Sequence, residues 1–333
     1  MSRVVTLAHG NGGRFMRELI RDVFARHLGN PDLDLNQDAA ALSAAHANLA
    51  FTTDGFIVDP LEFPGGDIGS LAVHGTVNDL AVSGATPRWL SLACFIEEGF
   101  EIDQLERIAA SLGRTARKCG VSVVTGDTKV VPRGQGGGLY LAVSGIGIRD
   151  PALNLGIANI QPGDAIVVNG TVGDHGTAIL LARHEFGLHG DLRSDCASVV
   201  PFAQTAMRNA GLRFMRDPTR GGIATVANEI SQATELRVNL DETKLPLHQE
   251  VRGVCEILGY DPLYLACEGR VVAVVEAGLA PSLLAAWQEL PGGKRAAIIG
   301  HVETGRPMVV LRTILGGERL LDELEDDPLP RIC

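Results

Sequence analysis

Val121-Ser122-Val123-Val124-Thr125, continued by Gly126-Asp127-Thr128-Lys129, decides the fold class. The β-branched run reads as a short buried strand, and the four residues after it deliver a carboxylate and an ammonium at its carboxyl end, where α/β proteins place ligands. Before it, 102–119 carries apolar residues at helical period, and 87–96 and 139–148 read as strands. Arg149-Asp150-Pro151 closes this unit, and a second one restarts at 163–170 with a strand between turn residues. Helices are expected at 174–186, 195–210 and 223–232, and strands at 271–276, 296–301 and 308–312. The pattern predicts an α/β (α+β) protein of two domains, 1–150 and 151–316, each a sheet with helices packed on it, followed by a mobile tail, 317–333.

A chain of 333 residues has ample length for two cores. Its 40 glycines make up 12% of those 333 residues, above the usual level of about 7%, and imply many close backbone approaches. A formal net charge of −11 disfavours nonspecific contact with nucleic acid or anionic membrane, leaving a cytoplasmic small-molecule enzyme as the expected class. The six cysteines (94, 119, 196, 255, 267 and 333) contain no C-x-x-C pair, so neither a zinc knuckle nor a disulfide framework is indicated. No stretch has membrane-spanning length, and the apolar run 4–8 is too short for a signal-peptide core.

Two glycine-bearing loops open helices. His9-Gly10-Asn11-Gly12-Gly13-Arg14 precedes a helical pattern over 15–28, and Asp217-Pro218-Thr219-Arg220-Gly221-Gly222 precedes 223–232. Free amides at a helix N-terminus suit a phosphate, although neither loop matches a nucleotide fingerprint and a plain turn fits each one alone. Carboxylates also recur beside apolar elements: Asp38, Asp54 at the end of strand 49–53, Asp79 in Val77-Asn78-Asp79-Leu80, and Asp127. Four such groups are the oxygen ligands that magnesium prefers, shared with nucleotide phosphates. Glu268, in Ala266-Cys267-Glu268-Gly269, reads either as a desolvated general base or as a surface turn before a strand.

The last six residues, Pro328-Leu329-Pro330-Arg331-Ile332-Cys333, place a thiol at the end of a proline-stiffened arm that is neither helix nor central strand. Composition alone makes it a fraying terminus. From Gly317 the arm has sixteen steps, which at ~3.3 Å each reach roughly 50 Å.

Taken together, these motifs resemble the HypE family, the carbamoyl dehydratases of nickel–iron hydrogenase maturation, within the superfamily of aminoimidazole ribonucleotide and selenophosphate synthetases. The similarity runs nearly end to end. It rests on 9–13, Pro64-Gly65-Gly66-Asp67-Ile68-Gly69, Gly75-Thr76-Val77-Asn78-Asp79-Leu80, 126–129, 217–222, Cys267-Glu268-Gly269 and the terminal Pro330-Arg331-Ile332-Cys333. The resemblance implies the two-domain aminoimidazole-ribonucleotide-synthetase-like fold and a homodimer paired through its N-terminal sheets. It also implies ATP and Mg2+ in a cleft between domains.

It further implies that Cys333 receives a carbamoyl group from the carbamoyltransferase HypF, is dehydrated from thiocarbamate to thiocyanate, and passes cyanide to iron on the HypC–HypD scaffold. Gly12, Gly13, Asp38, Thr53, Asp54, Asn78, Asp79, Asp127 and Thr128 become the expected nucleotide-site residues, with Asp38, Asp54, Asp79 and Asp127 as metal ligands. Glu268 is the first choice of base, and Lys129 stabilises the activated oxygen or shares that role. Two alternatives are a superfamily enzyme acting on a free small molecule and a nucleotide-sensing scaffold. A selenophosphate synthase is disfavoured because no cysteine stands in the N-terminal glycine-rich segment, and a cyclo-ligase has no need of Cys333.

Overall fold

The computed structural model describes residues 13–19, 21, 36, 40–44, 47–183, 187–324, 329 and 332. Its first domain is built around a helix that is buried almost all round. Helix α1 (Arg14–Leu19) and strands β1 (Ala40–Ala44), β2 (Ala47–Phe56), β3 (Glu62–Phe63) and β4 (Gly66–Asp67) lead to that helix, α2 (Ile68–Val82). Thirteen of the fifteen residues of α2 are buried, as expected for a helix without a polar face. Asp67 starts it with a capping box: its carboxylate accepts from the Gly69 and Ser70 N–H groups, and Ser70 Oγ accepts from the Asp67 N–H.

Strand β5 (Ala85–Glu97), helix α3 (Ile102–Lys118), β6 (Ser122–Val131) and β7 (Leu139–Arg149) complete the domain. The sheet order is β1-β2-β7-β5-β6, with only β5 and β6 parallel. Helix α2 packs on β2, β7 and β5, and α3 lies over α2. Among the described residues no helix covers β6, and the strand expected to be buried is an exposed edge strand. It also runs through Gly126–Lys129 instead of ending there. The β-branched residues made it a strand, but burial depended on where α3 settled.

The second domain contains β8 (Ala165–Val168), α4 (Asp174–Arg183), α5 (Val200–Ala206), β9 (Leu212–Arg216), α6 (Gly222–Thr234), β10 (Arg237–Asp241), α7 (Gln249–Leu258), β11 (Val272–Val275), α8 (Ala280–Gln288), β12 (Ala297–Glu303), β13 (Met308–Arg312) and β14 (Glu318–Leu320). Its seven strands run β14-β13-β10-β12-β8-β11-β9. Helix α6 buries Ile223, Val226 and Ile230 against one face, while α5 and α8 bury Phe202 and Trp287 on the other side. Helices α4 and α7 instead add Ile179, Leu180 and Val251 to the core beneath α2.

Two expectations shift. The helix foreseen from 195 begins at Val200, where Pro201 takes a first-turn position, leaving 195–199 irregular. Order does not stop at Gly316: β14 pairs with β13, Leu321 is buried, and Leu329 and Ile332 lie in the core that α2 shares with α4 and α7. Replacing Asp67 by Ala should lower stability by ~1 kcal/mol, read as a reduced thermal unfolding midpoint, because α2 loses its N-terminal cap.

Candidate active site

Helix α2 carries the joint between the domains on one amide. Asn78 Nδ2 donates to the Ala197 carbonyl at 3.0 Å and the Glu268 carbonyl at 3.2 Å, while its Oδ1 accepts from the Val199 N–H at 2.8 Å. Asn78 is 1% exposed, so these bonds replace all the water an amide side chain would otherwise hold. The Glu268 N–H donates to Asp195 Oδ1 at 3.0 Å, and Asp195 Oδ2 lies 3.4 Å from Arg270 Nε. A Cβ on Gly269 would stand 1.9 Å from the Asp195 carbonyl oxygen, so only glycine lets these two segments meet.

Carboxylates gather beside this joint. Thr52 Oγ1 donates to Asp79 Oδ2 at 2.8 Å, and Asp54, two residues further along the same face of β2, lies 3.5 Å from Arg220 Nη2. Arg220 belongs to the loop Asp217–Gly222. Gly221 and Gly222 both have positive φ, and a Cβ on Gly222 would come within 2.5 Å of the Leu263 and Leu265 carbonyl oxygens. Glu268 is buried, and its Oε1 has no hydrogen-bond partner. Burial pushes its carboxyl well above the ordinary 4.5; Asp195, Asp217 and Asp54 push it further, and Arg220 opposes them. Asp217 is raised to about 6, chiefly by burial, and burial also raises Asp54 against the charge of Arg220.

Gly13 and Arg14 meet the second loop through Leu324. The Arg14 N–H donates to the Leu324 carbonyl at 2.9 Å, and Leu324 Cδ2 lies 3.6 Å from where a Cβ on Gly221 would stand. Gly13 is thus at this meeting point. Gly12, Asp38 and Cys333 lie outside the described residues.

Other expected residues stand apart from the cluster. Thr53 projects from the opposite face of β2 and accepts from Ser144 Oγ at 2.9 Å. Asp127 and Lys129 form a 2.9 Å pair on the exposed edge strand, with the Thr128 N–H on Asp127 Oδ1 at 2.8 Å. Successive pairings place Gly55, Ala142, Ala93 and Asp127 in one row across the sheet, so Asp127 is three strands and ~14 Å from β2 at ~4.8 Å per strand. The same row puts it on the face away from Asp54. Among the described residues no three ligating side chains converge on one point. Asp54, Asp217 and Glu268 nevertheless lie near enough to raise one another's proton affinity, and their oxygens, with the unpartnered buried Oε1, are donors of the kind a hard divalent cation and its phosphate ligand require.

Asp195 escaped the sequence reading because it was assigned to a helix. Asp217 and Arg220 were visible as loop residues, but no pattern in the sequence places them opposite Asp54.

Residues 36–149 match the AIR synthase related protein N-terminal domain, and 161–311 match its C-terminal domain. Over 333 residues, 99% of this chain and 98% of the relative, the sequence is 48% identical to carbamoyl dehydratase HypE of Rhodobacter capsulatus. The chain belongs to the HypE carbamoyl dehydratase family. A chain in the crystal structure of a HypE–HypF complex superposes with TM-score 0.87 at 41% identity, covering 92% of this chain and 99% of that one. HypE solved in complex with ATP superposes with TM-score 0.82 at 44% identity, covering 99% and 100%. In this HypE-family chain the carboxylates and the Asp217–Gly222 loop meet where the two domains join.

A raised folded-state pKa means that the folded chain holds the Glu268 proton more tightly than the unfolded chain. Ionisation then removes stability as pH rises above 4.5 toward the folded value, and none below it. The metal-free Glu268→Gln variant should match the wild type in acid and unfold at increasingly higher temperature than it as pH rises. Asn78→Ala strands several buried groups and should lower the denaturation free energy by ~2–4 kcal/mol.

Proposed function

We propose that this chain converts an S-carbamoyl group on its own Cys333 to a thiocyanate at the expense of ATP, supplying the cyanide ligands of a nickel–iron hydrogenase. The observation that carries the reading is the buried Glu268 carboxyl, its Oε1 without a hydrogen-bond partner, at the junction of the two domains in a HypE-family chain. A carboxamide does not lose water readily because oxide is a poor leaving group. Transfer of the γ-phosphoryl group to the carbonyl oxygen converts it to a phosphate ester, and departure of phosphate with both N–H protons leaves the carbon–nitrogen triple bond.

The proton affinity that burial gives Glu268 is the direction a base for an amide-type N–H requires. Arg220 supplies positive charge where phosphoryl oxygens gather. A bound magnesium ion would be held by Asp54 and Asp79, with Asp38 as a further candidate, and would neutralise phosphate charge. Asp127, Lys129 and Thr53 lie on the sheet face away from this cleft, and Thr128, on the other face, is three strands from Asp54. They are proposed to act across a homodimer paired through the first-domain sheets, whose uncovered face also exposes Trp89 and Phe95.

The proposed carbamoyl donor is HypF, the partner in the complex solved for a relative, and the proposed acceptor is iron on HypC–HypD. A cytoplasmic setting fits this partner set; among the described residues no helix is long and apolar enough to cross a membrane.

After carbamoylation, intact mass should show one carbamoyl group on Cys333, and ATP addition should remove the mass of one water. An adduct on another cysteine, or water loss without ATP, contradicts the mechanism. Deleting Cys333 should abolish the adduct while leaving ATP affinity unchanged. Glu268→Gln should slow the water loss by ~10²–10⁴-fold with far smaller change in ATP binding.

A further inference from the structure

His175, the second residue of α4, is fully buried and meets Phe63 edge-on at 5.5 Å. Both of its ring nitrogens are engaged. Nε2 lies 2.6 Å from the main-chain oxygen of Ile332, and Nδ1 lies 2.7 Å from Ser194 Oγ. A carbonyl oxygen only accepts, so Nε2 carries the ring proton and donates it to Ile332. Burial lowers the pKa of the ring, leaving it neutral and Nδ1 an acceptor. The Ser194 hydroxyl therefore donates to Nδ1, while its oxygen accepts from the Cys196 N–H at 3.0 Å. Ser194 is itself anchored, its N–H donating to the Pro64 carbonyl at 2.8 Å. Every bond in this relay runs in one direction, which leaves a single tautomer.

The other contacts of the chain end are of a different kind. Leu329 and Ile332 are 3% and 4% exposed and share a core with Phe63 and Leu265, and Ile332 bridges Val58 in antiparallel sense. Apolar burial holds side chains without fixing depth sharply, because it has no direction. A hydrogen bond to the Ile332 carbonyl does fix depth, and it ignores the side chains of the tail. Ser194 is followed by Asp195, whose carboxylate holds the Glu268 N–H, so one short segment registers both the tail and the base.

We propose that His175, oriented by Ser194, is the positioning residue that docks the C-terminal tail, its Nε2–H holding the Ile332 carbonyl and so setting how deeply the chain end enters the cleft. The docking stands on geometry alone; its consequence for catalysis rests on the dehydratase reading above.

Carboxypeptidase treatment of the full-length, ATP-free chain, with release of Ile332 followed by intact mass, reports the population of undocked tail. His175→Phe keeps a ring but removes both polar bonds, and should speed release by about tenfold or more. His175→Gln, whose amide nitrogen reaches the Nε2 position, should restore most of the protection, and Ser194→Ala should fall between the two. Unchanged release in His175→Phe overturns the proposal. So does a His175→Gln variant that melts like the wild type but releases Ile332 as fast as His175→Phe, since ring packing and not the donor would then hold the tail. In the carbamoylated chain, single-turnover water loss should fall in the same order while the Kd for ATP stays at its wild-type value. A wild-type chain that never loses water removes the dehydratase reading and leaves the release assay to decide the docking.

Discussion

The side-chain amide of Asn78 is the constraint on which the cleft depends. It projects from a helix with no solvent-facing side and can be satisfied only by main-chain groups of the other domain. An unpaired buried amide costs more than a made hydrogen bond gains, so the domains are held in the one relation that satisfies it. That relation brings the Glu268 backbone to α2 and the Asp195 carboxylate to the Glu268 N–H. Arg270 then holds Asp195 and Asp174 from behind, with Thr171 accepting its Nε–H at 2.5 Å.

Once the domains are so joined, the cleft accumulates negative charge that it does not itself neutralise. Asp54, Asp217 and Glu268 all have raised proton affinity, and Arg220 is the cation that opposes burial at both Asp54 and Glu268. Such a cluster costs stability, a cost that the proposed binding of a cation and phosphate would offset. The tail engages the same region through a separate set of contacts, apolar at Leu329 and Ile332 and directional at His175. The carboxylates and the tail clamp meet in the segment 194–199, the stretch that fails to be helix.

Much of the fold was legible. Strand β13 falls on the expected residues, and α3, α6, β5 and β7 fall within a few, because long apolar periodicity and flanking turn residues are local properties of a chain. Asp54, Asp79, Asn78 and Glu268 were legible as polar groups beside apolar runs. The burial of β6 was misread because neighbouring β-branched residues report strand preference and not which strand ends the sheet. The helix expected from 195 was misread because its apolar residues serve the interdomain joint, where backbone groups bond to side chains instead of to one another.

The sequence by itself determined the two-domain α/β pattern, the family motifs, and the residue types able to hold phosphate, metal and a terminal thiol. Each follows from short-range spacing. Only the tertiary structure decided that Asp54 faces Arg220 while Asp127 lies across the sheet, that Glu268 is buried with its Oε1 unpartnered, and that His175 reaches Ile332 across 157 positions of chain. Those outcomes depend on domain packing, which sets burial and field at a site without leaving a local pattern in the residues that experience it.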